Sequence, residues 1–155
     1  GSTMAPLNAY LTLIGLETLP LRMRQHMKNA ELVANFLKNH SKVNYVSWAG
    51  FKENIYHELA KKYFKDGFGS VFTFSLKSGY EGAMQLVENC NLISHLANVG
   101  DTRSLIVHPA STTHRQLSNE QKEKSGVGDS IIRLSIGLES HKDIIADLEG
   151  ALSTI

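Results

Sequence analysis

Apolar and polar positions along the chain change period several times, and each change marks an element. Pro6 suits the first turn of a helix, where its missing amide hydrogen costs little, and Leu7 to Leu16 carry enough apolar residues to continue it. Gly15 and Pro20 then weaken or bend that helix. From Leu21 to His40 the residues Met23, Met27, Ala30, Ala34 and Leu37 recur at three- or four-residue spacing, joined by Val33 and Phe36. This predicts a long amphipathic helix whose polar face holds Arg22, Lys28, Glu31, Asn35 and Lys38.

Val43 to Trp48 is short, β-branched and aromatic, and predicts a strand ending at the Ala49-Gly50 break. A loop or irregular helix follows. Gly67-Phe68-Gly69 leads into Val71 to Leu76, where alternation puts Phe72, Phe74 and Leu76 on one face. Glycine before strand reverses the order of a dinucleotide-binding turn, so these glycines mark a turn rather than a phosphate cradle. Tyr80 to Glu88 predicts a helix burying Ala83, Met84, Leu86 and Val87. Leu92 to Leu96 and Ser104 to Val107 are candidate strands around a turn at Asn98-Val99-Gly100-Asp101. Gln116 to Lys124 is polar and reads as a short exposed helix or loop. Ser130 to Ile136 is a further strand, and His141 to Leu152 a closing helix with an Ile144, Ile145, Leu148 and Leu152 stripe. Together these elements predict an α+β fold, with helices over one face of a mostly antiparallel sheet.

Composition narrows the function. With 155 residues, 42% hydrophobic, the chain can bury one core. Sixteen basic against fifteen acidic side chains, a net charge of +1, give no field to gather nucleic acid or anionic lipid. No apolar stretch approaches a membrane span, because Thr12, Gly15 and Glu17 interrupt the best one. Gly1-Ser2-Thr3-Met4 has neither the charged nor the apolar region of a signal peptide. The lone Cys90 has no internal disulfide partner, which fits a reducing, cytoplasmic location.

Two features could carry chemistry. Alternation in Ile131 to Ile136 puts Arg133 and Ser135 on the face opposite Ile132, Leu134 and Ile136. A guanidinium presented by a strand suits bidentate recognition of a carboxylate or phosphate. The plainer alternative is an exposed arginine paired with an acid such as Glu139. The second feature is His108-Pro109-Ala110-Ser111-Thr112-Thr113-His114, after the apolar run Leu105-Ile106-Val107. Two histidines alone lack the three or four convergent ligands of a zinc site, so no metal is expected. Ser111, Thr112 and Thr113 are expected to bond backbone groups and fix the loop. Lys61, Lys62 and Lys65 are balanced by Glu53, Glu58 and Asp66, and His26, His40, His57, His95 and His141 read as surface, cap or packing residues. A Gly-x-Ser-x-Gly elbow, a Walker-type lysine motif and His-Glu-x-x-His do not occur.

Several ordered strings add a resemblance that covers essentially the whole chain. Ala5 to Tyr10, Gly15 to Leu19, Leu21-Arg22-Met23, Asn29-Ala30, Gly67 to Gly69, Ala97 to Asp101, His108 to His114 and Ile132 to Glu139 resemble, in order, the carboxyl-terminal part of the Cys/Met-metabolism family of pyridoxal-phosphate enzymes. Asn98-Val99-Gly100-Asp101 followed by His108 to His114 resembles the O-acetylhomoserine sulfhydrylases within it. The resemblance implies a small domain of a fold type I, aminotransferase-like enzyme of methionine and cysteine biosynthesis. It divides the chain into a linking helix over residues 1–40 and an α+β domain over residues 41–155.

By the same resemblance, Arg133 binds the α-carboxylate of an amino-acid substrate, with Asn98 and Thr113 beside it and Val99 and Ser111 lining the pocket. Pyridoxal phosphate would be the cofactor, held by a lysine outside this chain. Lys42, Lys61, Lys62 and Lys65 sit in polar, helical or loop contexts, not in the desolvated surroundings that suit imine formation. No catalytic or cofactor-binding residue is therefore assigned here, and the chain alone is expected to be inactive. The intact enzyme would pair this segment with a cofactor domain in a homotetramer. The same domain of a cystathionine γ-synthase or methionine γ-lyase, or a free-standing carboxylate-binding or regulatory domain, are the alternatives.

Overall fold

The structure is a computed structural model that describes residues 2–155. Two helices occupy the first forty residues, α1 (Pro6–Glu17) and α2 (Leu19–Lys38). The predicted bend is a full break at Thr18, because Pro20 has no amide hydrogen to continue the ladder. Arg22 closes the gap by donating from its guanidinium to the Gly15 carbonyl at 2.6 Å.

The remaining elements are β1 (Val43–Ser47), α3 (His57–Tyr63), β2 (Val71–Leu76), α4 (Gly79–Asn89), β3 (Ser94–His95), β4 (Leu105–Val107), α5 (Asn119–Lys124), β5 (Ile131–Ser135) and α6 (His141–Ser153). A short 3₁₀ turn, Pro109–Ser111, follows β4. The five strands form one sheet in the order β1-β2-β5-β4-β3. All neighbours are antiparallel except β3 and β4, which run parallel.

One face of the sheet forms the core. Phe72, Phe74, Leu76, Ile106, Ile132, Leu134 and Ile136 meet Ala30, Val33, Ala34 and Leu37 of α2, Ala83 and Leu86 of α4, and Ile144, Leu148 and Leu152 of α6. The buried stripe of α2 therefore belongs to the same core as residues 41–155. Burying side chains of this size stabilises by roughly 1.5–3 kcal/mol each before conformational entropy is subtracted. The α+β expectation matches this architecture, whereas the Leu92–Leu96 strand shrinks to Ser94–His95.

Asn29 interrupts the apolar stripe of α2 yet is fully buried. Its amide donates to the carbonyls of Gly137 at 3.0 Å and Glu139 at 2.8 Å, and its oxygen accepts from Gln25. His26 completes the attachment with an Nδ1 contact to the Ile136 carbonyl at 2.6 Å. These bonds fasten the chain leaving β5 to α2. By contrast, α1 buries none of its residues and leaves Leu7, Leu11 and Ile14 at 66%, 57% and 46% exposure.

Candidate functional site

The second face of the sheet carries the candidate chemistry. Ladder register aligns Ser47, Thr73, Arg133 and Val107 in one row across β1, β2, β5 and β4. Arg133 is partly buried. Among the described residues its guanidinium joins none of the ion pairs, and no buried side-chain polar atom lacks a partner, so water reaches the group.

The pairing with Glu139 does not form. Glu139 instead accepts from Ser104, whose backbone amide lies 2.6 Å from Oε1 and whose hydroxyl lies 2.9 Å from Oε2. The reason is topological. Ser135 pairs with Leu105 at the start of β4, so the residues beyond it reach Ser104, at the opposite end of the strand from Val107. Arg133 is left as a strand-mounted cation without an acid.

Val107, the partner of Arg133, is the last residue of β4, so the His108 to His114 loop leaves the sheet level with the arginine. The parallel strand β3 ends at that same edge, and Asn98 and Val99 follow within a few residues. The two predicted loops thus emerge beside each other at the Arg133 end of the sheet.

Within the second loop, His108 is buried. Its Nε2 lies 2.8 Å from the Asp129 carbonyl and its Nδ1 lies 2.9 Å from the Ser111 hydroxyl. A carbonyl can only accept, so Nε2 carries the proton and Nδ1 accepts from Ser111. Burial pushes the His108 pKa down, against the smaller opposing influence of the Asp129 carbonyl. The ring is thus a neutral post, also held edge-on by Tyr80 at 5.0 Å. The Ser111 hydroxyl also lies 3.3 Å from the His108 carbonyl, the backbone contact expected of it. Thr112 donates to the His108 carbonyl at 2.7 Å, as expected of a loop-fixing hydroxyl. Thr113 is exposed and contacts the His114 ring, not the backbone, at 2.8 Å.

In the first loop, Asn98 and Val99 are exposed, Val99 at 67%. Asn98 Oδ1 accepts from the Val99 amide at 2.8 Å. Asp101 accepts from the Arg103 amide at 3.0 Å and from its guanidinium at 3.1 and 3.2 Å. The hydrogen bond from the Arg103 side chain holds the Asp101 carboxyl down at about 2, with its backbone amide and the Asn98 amide adding to the effect. The sequence reading missed this Asp101-Arg103 ring, although Gly-Asp-x-Arg is a recognisable turn signal.

The family model described as "Cys/Met metabolism PLP-dependent enzyme" matches residues 1–153. The chain belongs to this family. Among curated relatives, it is 46% identical over 153 residues to O-acetyl-L-homoserine sulfhydrylase 1 of Thermus thermophilus, covering 99% of this chain and 36% of that protein. It is 43% identical to the L-methionine gamma-lyase of Fusobacterium nucleatum subsp. polymorphum, over 100% of this chain and 39% of that one. A solved structure from Campylobacter jejuni that carries N'-pyridoxyl-lysine-5'-monophosphate superposes with a TM-score of 0.90 at 47% identity, covering 99% of this chain and 36% of that chain. The chain therefore spans somewhat over a third of the length of these relatives.

The family depends on pyridoxal phosphate, but the lysines here do not fit its covalent attachment. Lys42 donates to the Leu152 and Ser153 carbonyls at 2.7 and 3.4 Å, and Lys122 lies 3.4 Å from Asp129. Lys28, Lys38, Lys52, Lys61, Lys62, Lys65, Lys77, Lys124 and Lys142 are exposed. None is an unpaired amine in an apolar pocket, the setting that favours the neutral nucleophile. Among the described residues no cluster of three or more His, Cys, Asp and Glu could hold a metal, and no helix is long and apolar enough to cross a membrane.

Proposed function

We propose that this chain is the substrate-binding, carboxyl-terminal domain of an O-acetylhomoserine sulfhydrylase, a transferase that converts O-acetylhomoserine and sulfide to homocysteine and acetate. The observation that carries this reading is Arg133, fixed on the central strand β5 and left without an acid. The covalent chemistry then belongs to residues outside the chain, in keeping with its lysines and its share of its relatives' length.

The residues present bind and orient. Arg133 receives the α-carboxylate, while the Asn98-Val99 loop and Thr113 border that position. A two-bond guanidinium–carboxylate contact contributes about 1.5–3 kcal/mol, which corresponds to roughly 10- to 150-fold in affinity. Because the contact exists in both ground and transition states, its loss raises KM more than it lowers kcat. Holding the substrate by one end also limits how its reacting end can swing, a positional contribution.

The test is steady-state kinetics of the holoenzyme that carries this chain. Arg133→Ala should raise KM for O-acetyl-L-homoserine by about 10- to 150-fold, and Arg133→Lys should restore only part of the loss, since lysine lacks the planar fork. Unchanged KM in Arg133→Ala, or elimination from methionine in place of sulfide transfer by the unmodified enzyme, would reject the assignment.

A further inference from the structure

The connection 96–104 joins parallel neighbours β3 and β4 without a helix, although such a crossover ordinarily takes about a dozen residues or more. It is a short strap, turned at Gly100 with φ +78, and it carries Asn98 and Val99 near its start. The strap ends at Ser104, which is fully buried and also bonds the strand that precedes the strap.

Each polar atom of Ser104 is used. Its carbonyl accepts from the Ser94 amide at 3.0 Å, which fixes the start of β3. Its amide and hydroxyl both donate to the Glu139 carboxylate, and its hydroxyl oxygen accepts from the Gly137 amide at 2.8 Å. Beside it, the Leu138 amide donates to the Thr102 carbonyl at 2.8 Å. The two backbones are close enough that a Cβ on Gly137 would stand 2.4 Å from the Arg103 carbonyl carbon and the Ser104 nitrogen. Gly137 and Glu139 are in turn held by Asn29 of α2. A continuous set of bonds therefore runs from α2, through the residues that leave the arginine's own strand, to the strap.

We infer that Glu139, acting through Ser104, is a positioning residue that sets where the Asn98-Val99 strap stands relative to Arg133, so that carboxylate binding depends on a contact at the far end of β4. This rests on the proposed role of Arg133. The clamp suits that task because β5 is common to both: Arg133 sits within it, and Gly137 and Glu139 follow it directly. A shift of the strap against β5 changes the pocket, while the cation remains in place.

The experiment compares Ser104→Ala, Glu139→Ala, Glu139→Gln and the Ser104→Ala/Glu139→Ala double variant in the same holoenzyme. Single removal of either clamp side chain should raise KM for O-acetyl-L-homoserine, and the calorimetric Kd for unreactive L-2-aminobutyrate, by about tenfold, with kcat and KM for sulfide within about twofold. The double variant should be no worse than the poorer single, as expected for two halves of one contact. Glu139→Gln, which keeps an acceptor for the Ser104 amide, should recover part of the loss. If Ser104→Ala fails to fold, the partly exposed Glu139→Ala decides the matter. A Kd and KM unchanged in Glu139→Ala while Arg133→Ala weakens binding would overturn this inference alone. Unchanged values in both would overturn the arginine assignment as well. A loss of thermal stability with no change in Kd would leave Glu139 merely structural and also refute the inference.

Discussion

Asp147 offers a severe test of how the edge of the sheet is held. It lies on α6, and its carboxylate accepts three consecutive backbone amides from the chain entering β3: Asn91 at 2.8 Å on one oxygen, Leu92 at 3.1 Å and Ile93 at 3.0 Å on the other. Hydrogen bonds to an ionised acceptor contribute more than neutral ones, but this site is partly open to water, so about 1 kcal/mol per bond is reasonable. Replacing Asp147 with alanine should then cost about 2–3 kcal/mol. For a chain of this length that is a fall in Tm of roughly 5–10 °C, read from thermal unfolding by circular dichroism. Asp147→Asn keeps one good acceptor and turns a donor towards the remaining amides, so it should fall between alanine and the parent. A second readout is Cys90, whose thiol is pushed up by burial first and by the Asp147 charge second. Neutralising Asp147 should therefore make Cys90 more reactive towards iodoacetamide. A cost below about 0.5 kcal/mol for Asp147→Ala would refute the account of this three-amide clasp.

Two further outcomes follow from titratable groups. The Cys90 thiol is pushed from 9.0 up to about 12 by burial. The thiolate is then about a thousandfold scarcer near pH 8, partly offset by its higher nucleophilicity, so alkylation should be about thirtyfold slower than for an exposed cysteine. Reaction at the exposed rate would contradict its burial. His108 is held neutral, with its pKa lowered chiefly by burial, so the unfolded chain takes up this proton before the folded one does. The stability it confers is complete above the unfolded value near 6.5 and is lost as pH falls through the lower folded value. Denaturant melts at pH 7.5 and 5 should show a smaller acid loss for His108→Gln than for the parent, and an equal loss would rule out this residue as a source of the pH dependence.

Much of the fold could be read because its helices and central strands follow simple periods. The alternation in Val71 to Leu76 and Ile131 to Ile136 announced both the buried face and the opposite placement of Arg133. What periodicity missed were polar residues used as fasteners. Asn29 and His26 sit in a helical stripe where an apolar residue is expected, and only the carbonyls arriving from residues 136–139 explain them. Ser104 and Glu139 likewise bond across a large gap in sequence, and nothing local distinguishes Glu139 from an acid available to Arg133. The carboxylate-binding hypothesis could be formed early because strand alternation fixes direction. The loop residues around it could be named only by resemblance, since side chains on loops obey no period.

The first helix has a thermodynamic consequence of its own. Since α1 buries no residue, melting it exposes little new apolar surface, and surface exposed is what gives an unfolding step its denaturant and heat-capacity dependence. A helix of 12 residues is also marginal in water without tertiary support. Its opening in this chain is therefore a separate, shallow equilibrium that denaturant hardly changes. The cooperative unit begins where α2 first turns a buried side chain inward, at His26.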